Sequence, residues 1–228
     1  MPTPSFDIYL VNGSITAFCG PHAESFKNDI LNSSLLGELA STSKHSDNQD
    51  ALWAGYVDTV SKIGWITKSR ELKRQEFSAK SLLKIIETTT GNTLTKEEKQ
   101  GLLNAFLQLK KPGSQSQATK AMIDKLQANT FAPCDETNAC ASARLTIVRS
   151  NASIITLQVA FKSAQGIGID ILDQPVLDAI KDGKPNTWLL VSSLDARQYD
   201  NLRATVIKKI GHHIDTDLLH VPTPSRLA

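Results

Sequence analysis

The longest alternation of apolar and polar residues in the chain runs from residue 143 to residue 161. One face of the extended chain would carry six apolar residues: Leu145, Ile147, Ile155, Leu157, Val159 and Phe161. The other face would carry four polar residues: Arg144, Thr146, Thr156 and Gln158. Because a one-residue slip would move an apolar set to the polar face, Ile147 must face Ile155 or Leu157. The pattern predicts an antiparallel hairpin with one buried face and one face in solvent.

The dipeptide Asn12-Gly13 lies at the centre of a second apolar stretch, residues 6–19. Both residues tolerate the positive φ of a tight hairpin turn. With these two residues as the turn, the facing apolar pairs are Leu10 with Ile15, Ile8 with Ala17, and Phe6 with Cys19. All six residues would share one face, so turn chemistry and patterning predict the same hairpin.

The chain between the hairpins is dominated by apolar residues at helical spacing. Two amphipathic helices, from about Ser25 and from about Asp47, are joined by a short polar linker and predict an antiparallel pair. The residues Thr95 and Glu98 match a capping box at the start of a later helix. Residues 65–77 begin with apolar residues and then become basic, which favours an exposed edge strand.

Strands at both ends around a helical middle predict an α+β protein, with a single antiparallel sheet covered by amphipathic helices on at least one face. The 228 residues are interpreted as one domain, since strands distant in sequence would pair with each other. Its predicted parts are an N-terminal hairpin (6–19), a helical region (25–128), C-terminal strands (142–193) and a final helix (195–211).

The charge balance argues against one large class of partner. The formal net charge is only +2, whereas nucleic-acid binding usually needs a concentrated basic face. No apolar stretch approaches the roughly 20 residues that span a bilayer, and the N-terminus lacks the basic and apolar regions of a secretory signal. We therefore expect a protein that is cytoplasmic, or exported without a cleaved N-terminal signal, and that binds no nucleic acid.

The three cysteines are Cys19, Cys134 and Cys140, an odd number that argues against a disulfide framework. Cys134 and Cys140 flank a polar loop and could form a disulfide under oxidising conditions. The acidic residues that follow Cys134 would raise the pKa of its thiol, and no partner histidine is evident. We assign no catalytic residue.

Five residues just after the predicted final helix are of types that bind Zn²⁺ or Fe²⁺: His212, His213, Asp215, Asp217 and His220. Their spacing matches no established metal signature, and histidines at a helix C-terminus also cap carbonyl groups. A second pair of carboxylates, Asp170 and Asp173, follows a Gly-x-Gly that lacks the third glycine of a dinucleotide loop. The segment after the helix is thus a candidate metal site, and no cofactor is predicted.

Two parts of the sequence resemble a group of uncharacterised soluble bacterial proteins of similar length. The first part comprises residues 25–41 and 51–65, and the second comprises residues 195–213. The matching positions are mostly of core type, such as Ile30, Trp53 and Tyr199. The resemblance implies a bacterial accessory protein with one fold throughout, and it implies no activity.

No constellation of nucleophile, base and oxyanion donors stands out, so the favoured function is non-enzymatic. The protein would act by self-association, or by binding a partner protein or host molecule. A first alternative is a membrane-active, toxin-like virulence protein whose amphipathic helices leave the sheet. A second alternative is a small metal-dependent enzyme with its site near His212.

The basic stretch 62–74 could touch phosphates or anionic lipid, although a solvated edge strand explains the same residues.

Overall fold

Both predicted hairpins occur in the computed structural model of the protein, which describes residues 5–42, 48–76, 80–109, 120, 124, 131–135, 138–163, 175–178 and 186–221. The strands are β1 (Phe6–Val11), β2 (Ser14–Cys19), β3 (Trp65–Lys73), β4 (Lys80–Ser81), β5 (Phe131–Asp135), β6 (Asn138–Val148), β7 (Ser153–Ser163), β8 (Pro175–Asp178), β9 (Thr187–Leu194) and β10 (Leu218–Val221). The helices are α1 (Glu24–Thr42), α2 (Gln49–Lys62), α3 (Leu82–Thr90), α4 (Lys96–Leu109), α5 (Ala196–Ile210) and α6 (His213–Asp217), with a 3₁₀ turn at Gly91–Thr93.

The hairpin β1–β2 has the predicted register in full. Phe6 lies opposite Cys19 and Leu10 lies opposite Ile15. Asn12 and Gly13 have φ angles of 48° and 87°, the left-handed conformation that such a turn requires. In the hairpin β6–β7, Ile147 lies opposite Ile155, which is one of the two registers that the alternation allowed.

The main sheet has the strand order β10-β1-β2-β6-β7-β9-β3. The short strand β5 pairs with the beginning of β6, β8 pairs with the end of β7, and β4 pairs with β8. Among the described strands, every pair is antiparallel except β2 with β6, which are parallel. The protein therefore has the predicted α+β fold with a mostly antiparallel sheet.

Helices cover both faces of this sheet. One apolar cluster joins one face of β1, β2, β6 and β7 to α3 and α4, with Ile147, Phe106 and Phe161 among its fully buried residues. A second cluster joins the opposite face to α1, α2 and α5, with Trp53 and Trp188 as its largest fully buried side chains. Because side chains alternate across a strand, the same strands contribute to both clusters.

The expectation of a solvent-exposed face on the β6–β7 hairpin is wrong. Thr146, Thr156 and Gln158 are at most 3% exposed, because α1 and α2 lie over them. A polar alternation normally marks a solvated face of an antiparallel sheet. Here the buried polar side chains form hydrogen bonds with one another and with α2, and these bonds replace those that solvent would otherwise supply.

The helices begin and end with the residues expected of caps. Asn48 accepts a hydrogen bond from the backbone N–H of Ala51 at the start of α2, and Asp195 caps α5 in the same way. The capping box is confirmed: the Glu98 carboxylate accepts from the Thr95 N–H at 2.8 Å, and the Glu98 N–H donates to the Thr95 hydroxyl at 3.2 Å. Gly211 follows α5 with a φ of 54°.

Helices α1 and α2 approach each other closely at Gly37. A Cβ atom at this position would lie 2.8 Å from Cδ2 and 2.9 Å from Cε2 of the Tyr56 ring. The missing side chain therefore allows α2 to pack against α1 with the Tyr56 ring fully buried between the helices and the sheet.

Candidate functional site

The segment predicted to bind metal begins where α5 ends. His212 and His213 follow Gly211, and their rings stack with centroids 4.3 Å apart. Nδ1 of His213 lies 2.7 Å from Oδ2 of Asp217, one turn further along α6. Asp215 is exposed on the same short helix. This part of the segment therefore contains one His–Asp pair and two solvent-facing neighbours.

The fifth predicted ligand, His220, lies on β10 directly opposite Tyr9 of β1. Nε2 of His220 is 2.7 Å from Oδ1 of Asp7. His213 and His220 thus pair with two different carboxylates, those of Asp217 and Asp7. Among the described residues, no group of three or more His, Cys, Asp or Glu side chains is placed to hold a metal ion. The metal site stays a prediction, which native mass spectrometry of protein purified without chelator tests.

Asp7 is the centre of a polar cluster that was not predicted. Besides His220, its carboxylate accepts hydrogen bonds from Nζ of Lys27 at 2.7 Å and from the Tyr9 hydroxyl at 3.1 Å. Burial raises the pKa of the Asp7 carboxyl, but the hydrogen bonds from Lys27 and His220 outweigh burial and hold this pKa below its usual value. The same contact with Asp7 raises the pKa of Lys27. The cluster joins the start of α1 to the β1–β10 edge of the sheet.

A second polar network lies between the α1–α2 pair and the sheet. Nη1 of Arg144 on β6 is 2.8 Å from Oε2 of Glu38 on α1, and the two side chains are only 7% and 9% exposed. The other carboxylate oxygen of Glu38 accepts a 2.6 Å hydrogen bond from the Ser14 hydroxyl. The Glu38 carboxylate thus connects α1 to β6 through an ion pair and to β2 through a hydrogen bond.

The Arg144 guanidinium also donates from Nε to Oε1 of Gln158, at 3.1 Å. The Gln158 amide in turn donates to Oε1 of Gln49 at the start of α2, at 3.0 Å. The guanidinium carbon lies 4.2 Å from the centroid of the Tyr56 ring, within the range of a cation–π contact. We name Ser14, Glu38, Gln49, Arg144 and Gln158 the buried polar layer.

Among the described residues, the two large apolar side chains with the greatest exposed fractions lie on β3. Beyond Trp65 all its residues are exposed, including Ile66 at 51% and Leu72 at 48%. It pairs with β9 on one side, and no described strand pairs with it on the other. The prediction of an exposed edge strand over residues 65–77 is confirmed for residues 65–73.

Of the three cysteine side chains, the structure describes only that of Cys19. Cys19 is a free thiol, 1% exposed on β2, and burial together with nearby Glu98 raises its pKa. Cys134 and Cys140 lie on β5 and β6, but their side chains are outside the described residues, and so are Asp170 and Asp173. The disulfide stays a prediction.

The fold and these contacts define an α+β protein with helices on both faces of its sheet. Comparison with known proteins does not assign the chain to a family within this class. The sequence matches no protein-family model, and no characterised protein is significantly similar to it. Among solved structures, the chain is similar to the Evf virulence factor, with 10% sequence identity and a TM-score of 0.33 over 93% of this chain and 85% of the other. A TM-score of this size defines no common fold.

Proposed function

We propose that this is a non-enzymatic interaction protein that binds an extended segment of a partner protein as an additional strand along β3. The observation that carries the proposal is the exposure of β3, which is nine residues long and solvent-exposed from Ile66 to Lys73. Strand addition at a free sheet edge is a common mode of peptide recognition, in which backbone hydrogen bonds supply affinity.

The backbone of β3 supports such binding. In an antiparallel pair, every second residue of an edge strand directs its N–H and C=O groups away from its neighbour. Because β3 pairs only with β9 among the described strands, these outward groups are available to an added strand. A bound segment of similar length would satisfy them with regular hydrogen bonds.

The exposed apolar side chains of β3 would contact such a segment on both faces. Ile66 lies opposite Ser193 and Leu72 lies opposite Trp188. Ser193 and Trp188 project from opposite faces of β9, since their positions differ by an odd number and side chains alternate along a strand. Ile66 and Leu72 therefore also project from opposite faces. An added strand would cover one apolar side chain on each face.

The test uses nine-residue peptides of alternating valine and a second residue that is glutamate, glutamine or lysine, matched to the length of β3. Hydrogen–deuterium exchange of the β3 amides is measured with and without each peptide. We expect at least one peptide to slow exchange in β3 and to leave α5 unchanged. If no peptide slows exchange in β3, strand addition is wrong.

Matched variants locate the contact. We expect Ile66→Ser with Leu72→Ser to weaken binding of every peptide, because both apolar contacts are lost and no charge is added to β3. Ile207 on α5 is 40% exposed and provides the control. We expect Ile207→Ser to bind peptide as the unmodified protein does. Equal loss of binding in the α5 variant would show that the peptide does not bind at β3.

The buried polar layer favours a second candidate, in which the α1–α2 pair leaves the sheet at a membrane surface. The interface contains the Arg144–Glu38 ion pair, and Nε1 of Trp53 is buried without a hydrogen-bond partner among the described residues. Separation would hydrate these groups, which offsets part of the lost apolar burial. No helix among the described residues is long and apolar enough to cross a bilayer.

Dye release from liposomes tests this candidate. We expect the protein to release dye from anionic liposomes, because the separated α1–α2 pair would expose to lipid the apolar side chains that now pack against the sheet. A double variant, Glu38→Leu with Arg144→Met, replaces the ion pair with apolar side chains and should reduce release. Liposomes that stay intact at neutral and acidic pH would exclude membrane action by this route.

A further inference from the structure

We infer that the segment bound along β3 is acidic and that its carboxylates pair with Lys68 and Arg70. This inference rests on the strand addition at β3 proposed as the function. It names the chemistry of the partner, which the exposed backbone alone does not determine.

The charges on β3 are unbalanced. The strand contains Lys68, Arg70 and Lys73 against Glu71, so three positive charges and one negative charge give a net charge of +2. Lys73 and Glu71 form an ion pair at 2.5 Å. Lys68 and Arg70 are exposed, and neither forms an ion pair with an acidic side chain among the described residues. Two cations at the centre of the free edge therefore lack a counter-charge.

The backbone geometry places these two cations differently. The register of β3 with β9 shifts between Thr67 and Ser69, so that Lys68 is the additional residue of a β-bulge. Arg70 lies opposite Leu190 of β9, whose side chain belongs to the apolar cluster under α1 and α2. Carboxylates at alternate positions of an added strand would lie next to Arg70 and within reach of the long Lys68 side chain.

The same features disfavour two other occupants. Two copies of β3 would bring together two strands of net charge +2, and like charges on adjacent strands are destabilising. A neutral strand would partly desolvate Lys68 and Arg70 without supplying a counter-charge. Charged residues and a bulge are features by which natural edge strands avoid indiscriminate pairing. An acidic segment is the strand that these residues admit, so they confer specificity as well as affinity.

An anionic membrane would also attract Lys68 and Arg70. A bilayer surface offers no regular array of backbone groups to match the free edge of β3, whereas an acidic peptide supplies both hydrogen bonds and carboxylates. The observations therefore favour the peptide.

The experiment measures binding of the glutamate, glutamine and lysine peptides by fluorescence anisotropy at low and at high ionic strength. We expect the glutamate peptide to bind about 2- to 30-fold more tightly than the glutamine peptide, which is the ratio that two cross-strand charge pairs would give. The difference should shrink at high salt, because these pairs are exposed.

A charge-reversed variant, Lys68→Glu with Arg70→Glu, should lose the preference for glutamate and should bind the lysine peptide best. The matched control is Lys96→Glu with Lys208→Glu, which reverses two exposed charges on α4 and α5. This control has the same net charge as the β3 variant, and we expect it to retain the preference for the glutamate peptide. The gain of lysine-peptide binding shows that the β3 variant is folded.

Three results would overturn the inference. Equal affinity for the glutamate and glutamine peptides, with exchange still slowed in β3, would reject an acidic partner and retain strand addition. An unchanged preference in the β3 variant would place the acidic contact elsewhere. Binding to phosphatidylserine vesicles that the β3 variant loses, without binding of any peptide, would reject strand addition itself in favour of a membrane surface.

Discussion

Arg144 on β6 and Glu38 on α1 form an ion pair between the sheet and the helical layer, with Nη1 and Oε2 2.8 Å apart. Each side chain is less than 10% exposed, so neither charge can be solvated if its partner is removed. We expect Arg144→Met to lower the free energy of unfolding by about 3–5 kcal/mol, because it leaves a buried carboxylate without a counter-charge. Urea unfolding monitored by Trp fluorescence measures this change.

The control is the double variant Arg144→Met with Glu38→Leu, which removes both charges and fills their space with apolar groups. We expect it to recover most of the lost stability, since apolar replacements of buried ion pairs are often neutral or stabilising. A double variant as unstable as Arg144→Met alone would mean that packing against Tyr56, rather than charge, is what Arg144 supplies.

The second prediction concerns the close contact of α1 with α2 at Gly37. Gly→Ala inside a helix usually stabilises by about 0.5–1 kcal/mol. At Gly37 the added methyl group would lie 2.8 Å from the Tyr56 ring, so we expect Gly37→Ala to destabilise by about 1–3 kcal/mol. Thermal unfolding measures the change. Asn28→Ala, at an exposed position of the same helix, should change stability by less than about 0.5 kcal/mol.

The parts of the fold that were predictable are those that local chemistry determines. Asn12 and Gly13 define their own turn, and the turn then determines that Phe6 faces Cys19. The register of Ile147 with Ile155 follows in the same way from alternation around a short loop. In both hairpins the paired residues are close in sequence, so the alternation of apolar residues and the geometry of the turn predict the same strand register.

The candidate site depends on contacts between residues distant in sequence. Nothing near Arg144 indicates that its counter-charge is Glu38 on α1, or that α2 covers Gln158. The sequence of a strand alternates between apolar and polar residues in the same way whether its polar face contacts solvent or contacts polar side chains of a covering helix. The parallel pairing of β2 with β6 was missed for the same reason, because it joins two hairpins whose sequences specify only their own turns. The exposed β3 was predictable, since its charges mark an edge.

The third prediction is a dependence of stability on pH that originates at Asp7. The folded-state pKa of Asp7 lies below its unfolded value, because the hydrogen bonds from Lys27 and His220 outweigh the effect of burial. A carboxyl group with a lowered pKa contributes stability above its unfolded pKa, near 3.9, and loses that contribution as the pH falls through the folded pKa. Stability should therefore fall below about pH 4.

Asp7→Asn tests this origin, since asparagine cannot be ionised. We expect the variant to lose about 1–3 kcal/mol at neutral pH, where it lacks the charged hydrogen bonds to Lys27 and His220. Its unfolding free energy should depend less on pH between about pH 2 and about pH 5 than that of the unmodified protein. Identical pH profiles for the two proteins would assign the acid sensitivity to other carboxylates.

The fourth prediction concerns Glu98, which joins α4 to the turn between β6 and β7. Its carboxylate accepts the Thr95 N–H at 2.8 Å and is also bound by Nε of Arg149, with contacts of 2.9 and 3.1 Å to its two oxygens. The Glu98 residue is 6% exposed, so water cannot replace both partners. We expect Glu98→Ala to destabilise by about 2–4 kcal/mol, because it removes a helix cap and leaves a partly buried guanidinium without its partner.

The neighbouring Glu97 provides the matched control, since it lies in the same first turn of α4 and is exposed. Glu97→Ala removes the same charge from the helix N-terminus and should leave the urea midpoint nearly unchanged. If the two alanine variants unfold at the same urea concentration, the contribution of Glu98 is only its charge at the helix end. If Arg149→Met lowers the midpoint as Glu98→Ala does, and the two changes are not additive, the ion pair is the contact that holds α4 to the hairpin.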